Sequence, residues 1–342
     1  MLAVGAIGPP QPVRGIERVN VVTTTSIGEK GAQRALLAAD AATLGPGRRR
    51  SKRWRRYAGW LFALPALLFY GIFELHPIIS AVNYSFYKWD GISAVKKWVG
   101  LSNYVAALTQ PQQLSSLVHA FVFIIFFTVL PVTFGLIVAS VMRTVKPGPY
   151  GTVTRTLVFL PQILPGAAAG VAWNWMYSKD GFVNTVLHWV GLGSLARGWV
   201  GSFTFALPAV GFVGTWLSTG LCSVLLMAGI GSINPSLYEA AKVDGAGIWH
   251  QFRQVTLPGL RQQIGVCVTI TVIAALSSFD VVYLMTQGGP GYSTVVPGVE
   301  VYNLAFNDYQ IGSACALAVV LAVIVIAVVA PLQRFFRGTD NG

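Results

Sequence analysis

Residues 313–332, SACALAVVLAVIVIAVVAPL, run for twenty positions without a charged side chain. A helix needs about 20 mostly apolar residues to cross the hydrocarbon core of a bilayer. In water such a helix would have to be sheathed by other elements that are polar on their outer faces. The chain has few residues for that sheath. Of 342 residues, 54% are apolar and 11% charged, against roughly 25% charged in soluble domains. A single soluble domain is excluded on this ground, and a membrane protein is expected.

Five more windows meet the length requirement, near residues 58–82, 115–142, 156–178, 203–231 and 262–286, with the charge-free stretch closing the set at 313–333. The expected fold is therefore an all-α membrane protein of six transmembrane helices, with the membrane domain over residues 57–335. The first window is interrupted at its outer end by Glu74, His76 and Pro77. Pro131, Pro161, Pro165 and Pro208 enter later ones. Lipid tolerates them where a neighbouring helix or a hydroxyl satisfies the freed carbonyl.

Charge placement orients the helices. With the N-terminus inside, 19 of the 24 Lys and Arg fall in inner segments and 5 in outer ones. This bias puts both termini in the cytoplasm. The run from Arg48 to Arg56 then lies beside anionic headgroups and reads as an anchor. On charge alone it also fits a nucleic-acid arm, but its position against the first helix favours lipid. Residues 1–56 are expected to be a basic cytoplasmic tail, disordered over 1–47, where Gly, Ala, Thr and Pro alternate without a period. No apolar span that could serve as a signal peptide opens the chain. Residues 336–342 form a short C-terminal tail.

Several chemistries are missing. No lysine precedes Ser or Thr, so the chain carries no P-loop for nucleotide phosphates. Neither H-E-x-x-H nor G-x-S-x-G occurs, and the histidines are scattered at 76, 119, 188 and 250. Cys222, Cys267 and Cys315 all lie in apolar stretches and suggest neither a disulfide framework nor a metal site. Asp280 is the one carboxylate expected well inside a span. A proton-coupled secondary transporter acting alone, the alternative reading, should carry more intramembrane ionisable groups. An enzyme would need paired acids or a metal cluster, and none is visible.

The segment Asn234–Pro258 breaks the apolar pattern. Pro235 stands where a helix can begin, and Ser236 followed by Glu239 fits a capping box. The helix predicted through Tyr238, Ala241 and Lys242 should end at Gly245 with positive φ. A second helix carries Ile248, Trp249, Phe252 and Val255, after which Pro258 opens the fifth span. Such an amphipathic pair can lie on lipid or present a ridge to a soluble partner.

Glu239-Ala240-Ala241, three residues, Gly245, nine residues, Val255, one residue and Leu257-Pro258 resemble the EAA loop of ABC-importer permeases, E-A-A-x3-G-x9-I-x-L-P, with Val for Ile. The wider string YEAAKVDGAGIWHQFRQVTLP is similar to the carbohydrate branch, including maltose, glycerol-3-phosphate and disaccharide permeases. FDVVYLMTQGGP (279–290), WNWMYSKDGFVN (173–184) and VGLSNY (99–104) add to the likeness. The resemblance covers roughly residues 57–335 and is nearest the first-permease subunit of the type I importer fold.

It implies a permease, not an enzyme, in the bacterial plasma membrane. The implied partners are a second homologous permease subunit, two ATP-binding subunits that carry ATP and magnesium, and an extracytoplasmic sugar-binding protein. No cofactor is expected in this chain and no nucleic acid. The EAA loop at 234–258 would couple to the ATPase through Glu239, Ala240, Ala241, Asp244, Gly245, Leu257 and Pro258. Glu239 can also serve simply as a helix-start carboxylate. The implied substrate path takes in Ser277, Asp280 and Tyr283 of the fifth span and Trp173 and Asn174 of the third. Leu276, Asp280, Tyr283 and Gln287 fall on one face if that span is a continuous helix. Asp280 either fixes packing or meets sugar. Trp173 and Trp175 either anchor at headgroups or, in Trp173 with Asn174, meet sugar. The outer aromatics Tyr84, Phe86, Tyr87, Trp89, Trp98 and Tyr104 form either an interfacial belt or a partner surface. Gly288-Gly289-Pro290 reads as a turn.

Overall fold

Prolines stand at several of the points where the helices of this chain bend or break. The computed structural model describes residues 51–144 and 148–337. Most of the expected basic tail, including all of 1–47, lies outside the described residues, as do the last five positions. Two units are distinguished, residues 1–72 and 73–342. The described part of the first is helix α1 (Ser51–Tyr70) and the start of a wide π-type turn (Gly71–Leu75). Its apolar side chains from Trp60 to Ile72 are largely exposed.

The second unit continues with α2 (His76–Tyr84), a two-stranded antiparallel hairpin of β1 (Tyr87–Lys88) and β2 (Lys97–Trp98), α3 (Ser102–Thr109) and α4 (Pro111–Ile124). A π-type turn (Ile125–Val129) joins α4 to α5 (Leu130–Thr144). Then come α6 (Pro149–Ile163), α7 (Gly166–Met176), α8 (Phe182–Trp189) and the long α9 (Ala206–Ser232). The charged loop holds α10 (Pro235–Val243), α11 (Ile248–Gln251), a π-type turn (Phe252–Thr256) and α12 (Leu257–Gly259). The chain ends with α13 (Arg261–Leu276), α14 (Asp280–Thr286), α15 (Pro297–Tyr302), a further π-type turn (Asn303–Asn307) and α16 (Ile311–Arg337).

Four helical stretches are long and apolar enough to cross a bilayer: Phe62–Tyr84, Pro111–Arg143, Ala206–Ser232 and Ile311–Phe336. Two further pairs qualify only when taken together, Gly151–Ile163 with Gly166–Met176, bent by 99°, and Ile248–Gly259 with Arg261–Leu276, bent by 67°. Two expected continuous spans are thereby corrected. The third breaks at Leu164, whose ψ of 130° is the extended conformation imposed on a residue before proline. The fifth ends at Leu276 and restarts at Asp280, with Phe279 between them at φ −141°, ψ −62°. Pro258 sits in the turn before the 67° bend, and the fifth span starts at Arg261.

Pro131 shows how a proline is absorbed. It has no N–H to offer the carbonyls one turn back. The helix widens there, with Leu130 N bonding to Ile125 O. The Phe126 carbonyl then accepts from Thr215 Oγ1 of α9 at 2.6 Å. One hydroxyl on a neighbouring helix satisfies what the proline freed, and the same bond fixes α9 against this turn. The largest buried cluster lies here. Phe123 and Phe127 meet Val210 and Val213 of α9, Val281, Val282 and Met285 of α14, and Val295, Val296 and Val299. A second cluster of Ala139, Cys222, Leu226, Leu260 and Cys267 lies toward the charged loop.

Candidate functional site: the charged loop and the broken helices

The loop between α9 and α13 is built from its caps inward. Asn234, not Ser236, caps α10: its side-chain oxygen accepts from Ser236 N at 3.0 Å. Pro235 takes the first helical position, where a missing N–H costs nothing. The capping box expected from Ser236 and Glu239 is replaced because the chain turns two residues earlier, leaving Ser236 inside the helix. The C-terminus closes as a Schellman motif. Ala246 N donates to Ala241 O at 2.8 Å and Gly245 N to Lys242 O at 3.0 Å, with Gly245 at φ +76°. Asp244 is the last residue before this reversal, and its N–H bonds to Ala240 O at 3.0 Å.

Two side chains tie the loop to the helices beneath it. Tyr238 is buried, and its hydroxyl lies 3.1 Å from Thr256 Oγ1. The Arg143 guanidinium sits 3.4 Å from the centre of the Tyr238 ring, a cation–π contact. Gln251 Nε2 reaches back to Ala246 O at 2.9 Å. The outer face is different. Glu239, Ala240, Asp244 and Gly245 are exposed and Ala241 half-buried. Val243, Ile248 and Trp249 are exposed to 88%, 84% and 74%. Three large apolar side chains held in the open on a capped, braced loop form a ridge. Leu257 and Pro258 are exposed at its far end, where Pro258 lines a cavity of about 740 Å³ with Arg261, Gln262, Gln333 and Phe336.

The residues expected on a substrate path are brought onto adjacent helices but not onto one face. With α13 and α14 separate, Leu276 is buried at the end of one, while Asp280 opens the other, and Gln287 ends it in a left-handed conformation (φ 52°). The Asp280 carboxylate stands in the first turn of α14, the end of a helix that favours negative charge. α7 packs on α14 through Gly166 and Gly170, a small-x-x-x-small spacing. A Cβ at Gly170 would come within 3.3 Å of Leu284 Cβ, and one at Gly166 within 3.6 Å of Asp280 Cβ. Ser277 is exposed, and its hydroxyl donates to the Ile273 carbonyl.

The aromatic residues of these helices fall into separate groups. Tyr283 stacks on Phe279 at 5.1 Å and meets Tyr302 at 5.0 Å, which in turn contacts Phe306. Trp173 packs with Tyr177, Phe212 and Trp216. Asn174 is half-buried and Trp175 is 75% exposed. The outer aromatics pack largely on one another around the hairpin: Tyr84 on Trp89, and Phe86 and Tyr87 on Trp98. Lys96 lies over both Tyr84 and Trp89. In the same hairpin, hydrogen bonds from the Ser93 side chain and backbone hold the Asp90 carboxyl down at about 2.

Two residues gave no strong sequence signal. Glu300, in a segment expected to be an outer loop, is 1% exposed and accepts from Gln112 Nε2 at 2.9 Å. Burial pushes its carboxyl above the usual range. Among the described residues the deeply buried carboxylate is thus Glu300, whereas Asp280 is exposed. Asn184, last residue of WNWMYSKDGFVN, is 2% exposed. Its Nδ2 lies within 3.1 Å of the carbonyls of Ser178, Lys179 and Arg197, and its Oδ1 accepts from Arg197 N and Trp199 Nε1.

A bundle of apolar, broken helices carrying a braced loop is the architecture of a multi-pass membrane protein. Residues 131–336 match the family described as binding-protein-dependent transport system inner membrane component, and the chain belongs to it. It is a multi-pass permease of the ABC-importer type. The lactose transport system permease protein LacF of Rhizobium radiobacter is 31% identical over 286 residues, 83% of this chain and 95% of that one. The diacetylchitobiose uptake system permease protein NgcF of Streptomyces coelicolor is 32% identical over 313 residues, 88% and 89% of the two chains. A bacterial ABC transporter involved in import of the acidic polysaccharide alginate has a chain of the same fold. The TM-score is 0.73 at 22% identity, covering 86% of this chain and 100% of that one.

Proposed function

We propose that this chain is one half of the permease pair of an ATP-driven importer for a sugar, of oligosaccharide size by analogy with the lactose and diacetylchitobiose relatives. In this reading it spans the bacterial plasma membrane six times, the bent pair Gly151–Ile163 with Gly166–Met176 counting once and the fifth crossing beginning at Arg261 beyond the loop, with both termini in the cytoplasm. The charge bias of the connecting segments supports that orientation. ATP and magnesium are held by two partner ATPase subunits, and a sugar-binding protein docks outside.

The observation that carries this reading is the ridge of Val243, Ile248 and Trp249 on a loop capped at both ends of α10. Exposed apolar side chains on a rigid support are what a soluble partner can bury. Glu239, Ala240 and Ala241 stand on the same helix, small residues allowing close approach beside one carboxylate. Asp244, Gly245, Leu257 and Pro258 set the direction of the two halves of the loop. On the path side, Asp280, Ser277 and Tyr283 offer carboxylate, hydroxyl and ring to a neutral sugar, with Trp173 and Asn174 on the adjoining helix.

Purification and reconstitution test it. The chain should bring an ATPase subunit with it through a tag on this chain alone. Uptake into proteoliposomes should need ATP and the loaded binding protein, and should survive collapse of the proton gradient. Transport by the isolated chain on a pH gradient would overturn the reading in favour of a secondary transporter.

A further inference from the structure

Two cavities at the base of the charged loop share one wall. The smaller, about 500 Å³, is lined by Arg143, Arg155 and Lys242, with Glu239 as its one carboxylate. The larger, about 980 Å³, is an apolar groove between Leu136 and Ile137 of α5 and Ile248, Trp249 and Phe252 of the loop. Arg143 and Lys242 line both. The groove has a polar mouth, a hydrocarbon wall and a cationic chamber beside the mouth. We infer that an anionic phospholipid occupies it, headgroup phosphate between Arg143, Lys242 and Arg155, and one acyl chain along α5. Ile248 and Trp249, 84% and 74% exposed, then wall the groove on one side and leave the rest of their surface, with Val243, to the ridge.

Position and charge carry this assignment. Arg143 is the last residue of the apolar stretch Pro111–Arg143, where hydrocarbon gives way to headgroups. The groove wall runs back along that stretch to Thr133. Ten residues of helix rise about 15 Å, close to half the roughly 30 Å hydrocarbon core and so the depth of one leaflet. Ile137 is 54% exposed there. Ser140 lies in the same wall. Three cations against one carboxylate leave a net positive chamber that a zwitterionic headgroup satisfies poorly and an anionic one well. Because Arg143 also holds the Tyr238 ring, the lipid would sit against the base of the proposed coupling helix. The inference rests on the proposed orientation, which puts this mouth at the inner leaflet.

The full complex, reconstituted in vesicles of equimolar phosphatidylglycerol and phosphatidylcholine and then extracted in mild detergent, should retain phosphatidylglycerol preferentially by mass spectrometry. Arg155→Gln with Lys242→Gln should lower that preference roughly five-fold for each cation removed. Ile137→Trp should fill the groove and abolish retention with every cation intact. Excess inorganic phosphate should displace nothing. Equal retention in all variants, or no preference in the wild-type complex, overturns the assignment. So does displacement by phosphate alone, which would make the site a headgroup pocket without an acyl groove. If Ile137→Trp costs the second permease subunit while lipid retention is unchanged, the groove is a protein interface and the assignment is likewise overturned. Co-purification of the ATPase is read separately, so failure of the importer reading is told apart from failure of this one.

Discussion

Tyr238 and Thr256 meet across the charged loop, hydroxyl to hydroxyl at 3.1 Å, and both are buried. One stands on α10 and the other just before α12, so this contact ties the first half of the loop to the second. The Arg143 guanidinium lies over the face of the same ring. The two halves of the loop are thereby tied together through a side chain that no spacing rule singles out.

Tyr238→Phe keeps the ring for Arg143 and removes the hydroxyl. Leaving Thr256 Oγ1 without its partner should cost about 1 kcal/mol. The expected result is normal insertion, a small fall in the thermal midpoint in detergent, and uptake reduced more than stability, since the two halves of the loop are uncoupled. An uptake rate equal to wild type would show that the tie is dispensable.

Gly245 has φ +76° and open space around the position of a Cβ, with nothing within 4 Å. Any effect of substitution must then come from the backbone and not from a clash. A β-branched residue in this region costs at least about 1 kcal/mol. Gly245→Val should insert normally yet lose uptake and ATPase association, while Gly245→Asn, which tolerates left-handed backbone, should keep most of both. Measuring the two side by side separates conformation from bulk.

Glu300 predicts the pH dependence. Its carboxyl is raised in the folded chain by burial, so the fold binds that proton more tightly than the unfolded chain does. Stability from this group is complete below the ordinary glutamate value of about 4.3. It falls as the pH climbs from there through the raised value, then stays flat. Glu300→Gln still accepts from Gln112 but cannot ionise. Thermal midpoints across pH should lose that decline in the variant and be no lower than wild type at neutral pH. A decline of equal size in both chains would assign it to another group.

Asn184→Ala should be the most damaging of these changes. It leaves Trp199 Nε1, Arg197 N and several carbonyls without their partner in a buried setting, at a cost of about 3 kcal/mol. Lower membrane abundance and faster proteolysis between residues 178 and 199 are expected. Protection equal to wild type would contradict the role.

Hydropathy located helices well and their interruptions poorly. Residues 313–332 were legible because twenty uncharged positions admit one reading, and α16 covers them. The ends of α9 likewise fall within a few residues of expectation. The break at Pro165 was not legible because an apolar window carries no direction: 99° of bend leaves composition untouched. Ser277-Ser278-Phe279 was missed for the same reason, and with it the face supposed to join Leu276 to Gln287. In the loop, Gly245 was legible because left-handed backbone selects glycine. The cap was misread because Asn234 and Ser236 are both good capping residues, and only the path of the chain chooses between them. Glu300 could not be found by periodicity, since the partner that receives it in the interior, Gln112, is far away in sequence.

Asn184 has a consequence beyond stability. Its single amide gathers Ser178, Lys179, Arg197 and Trp199 to one point, so the connection from α7 toward α9 is set before anything touches it. Association usually forfeits the freedom of loops that must settle on contact. Here that freedom is already spent during folding. Any protein that docked at this surface would meet a fixed relief, and its affinity would not be lowered by the ordering of this loop.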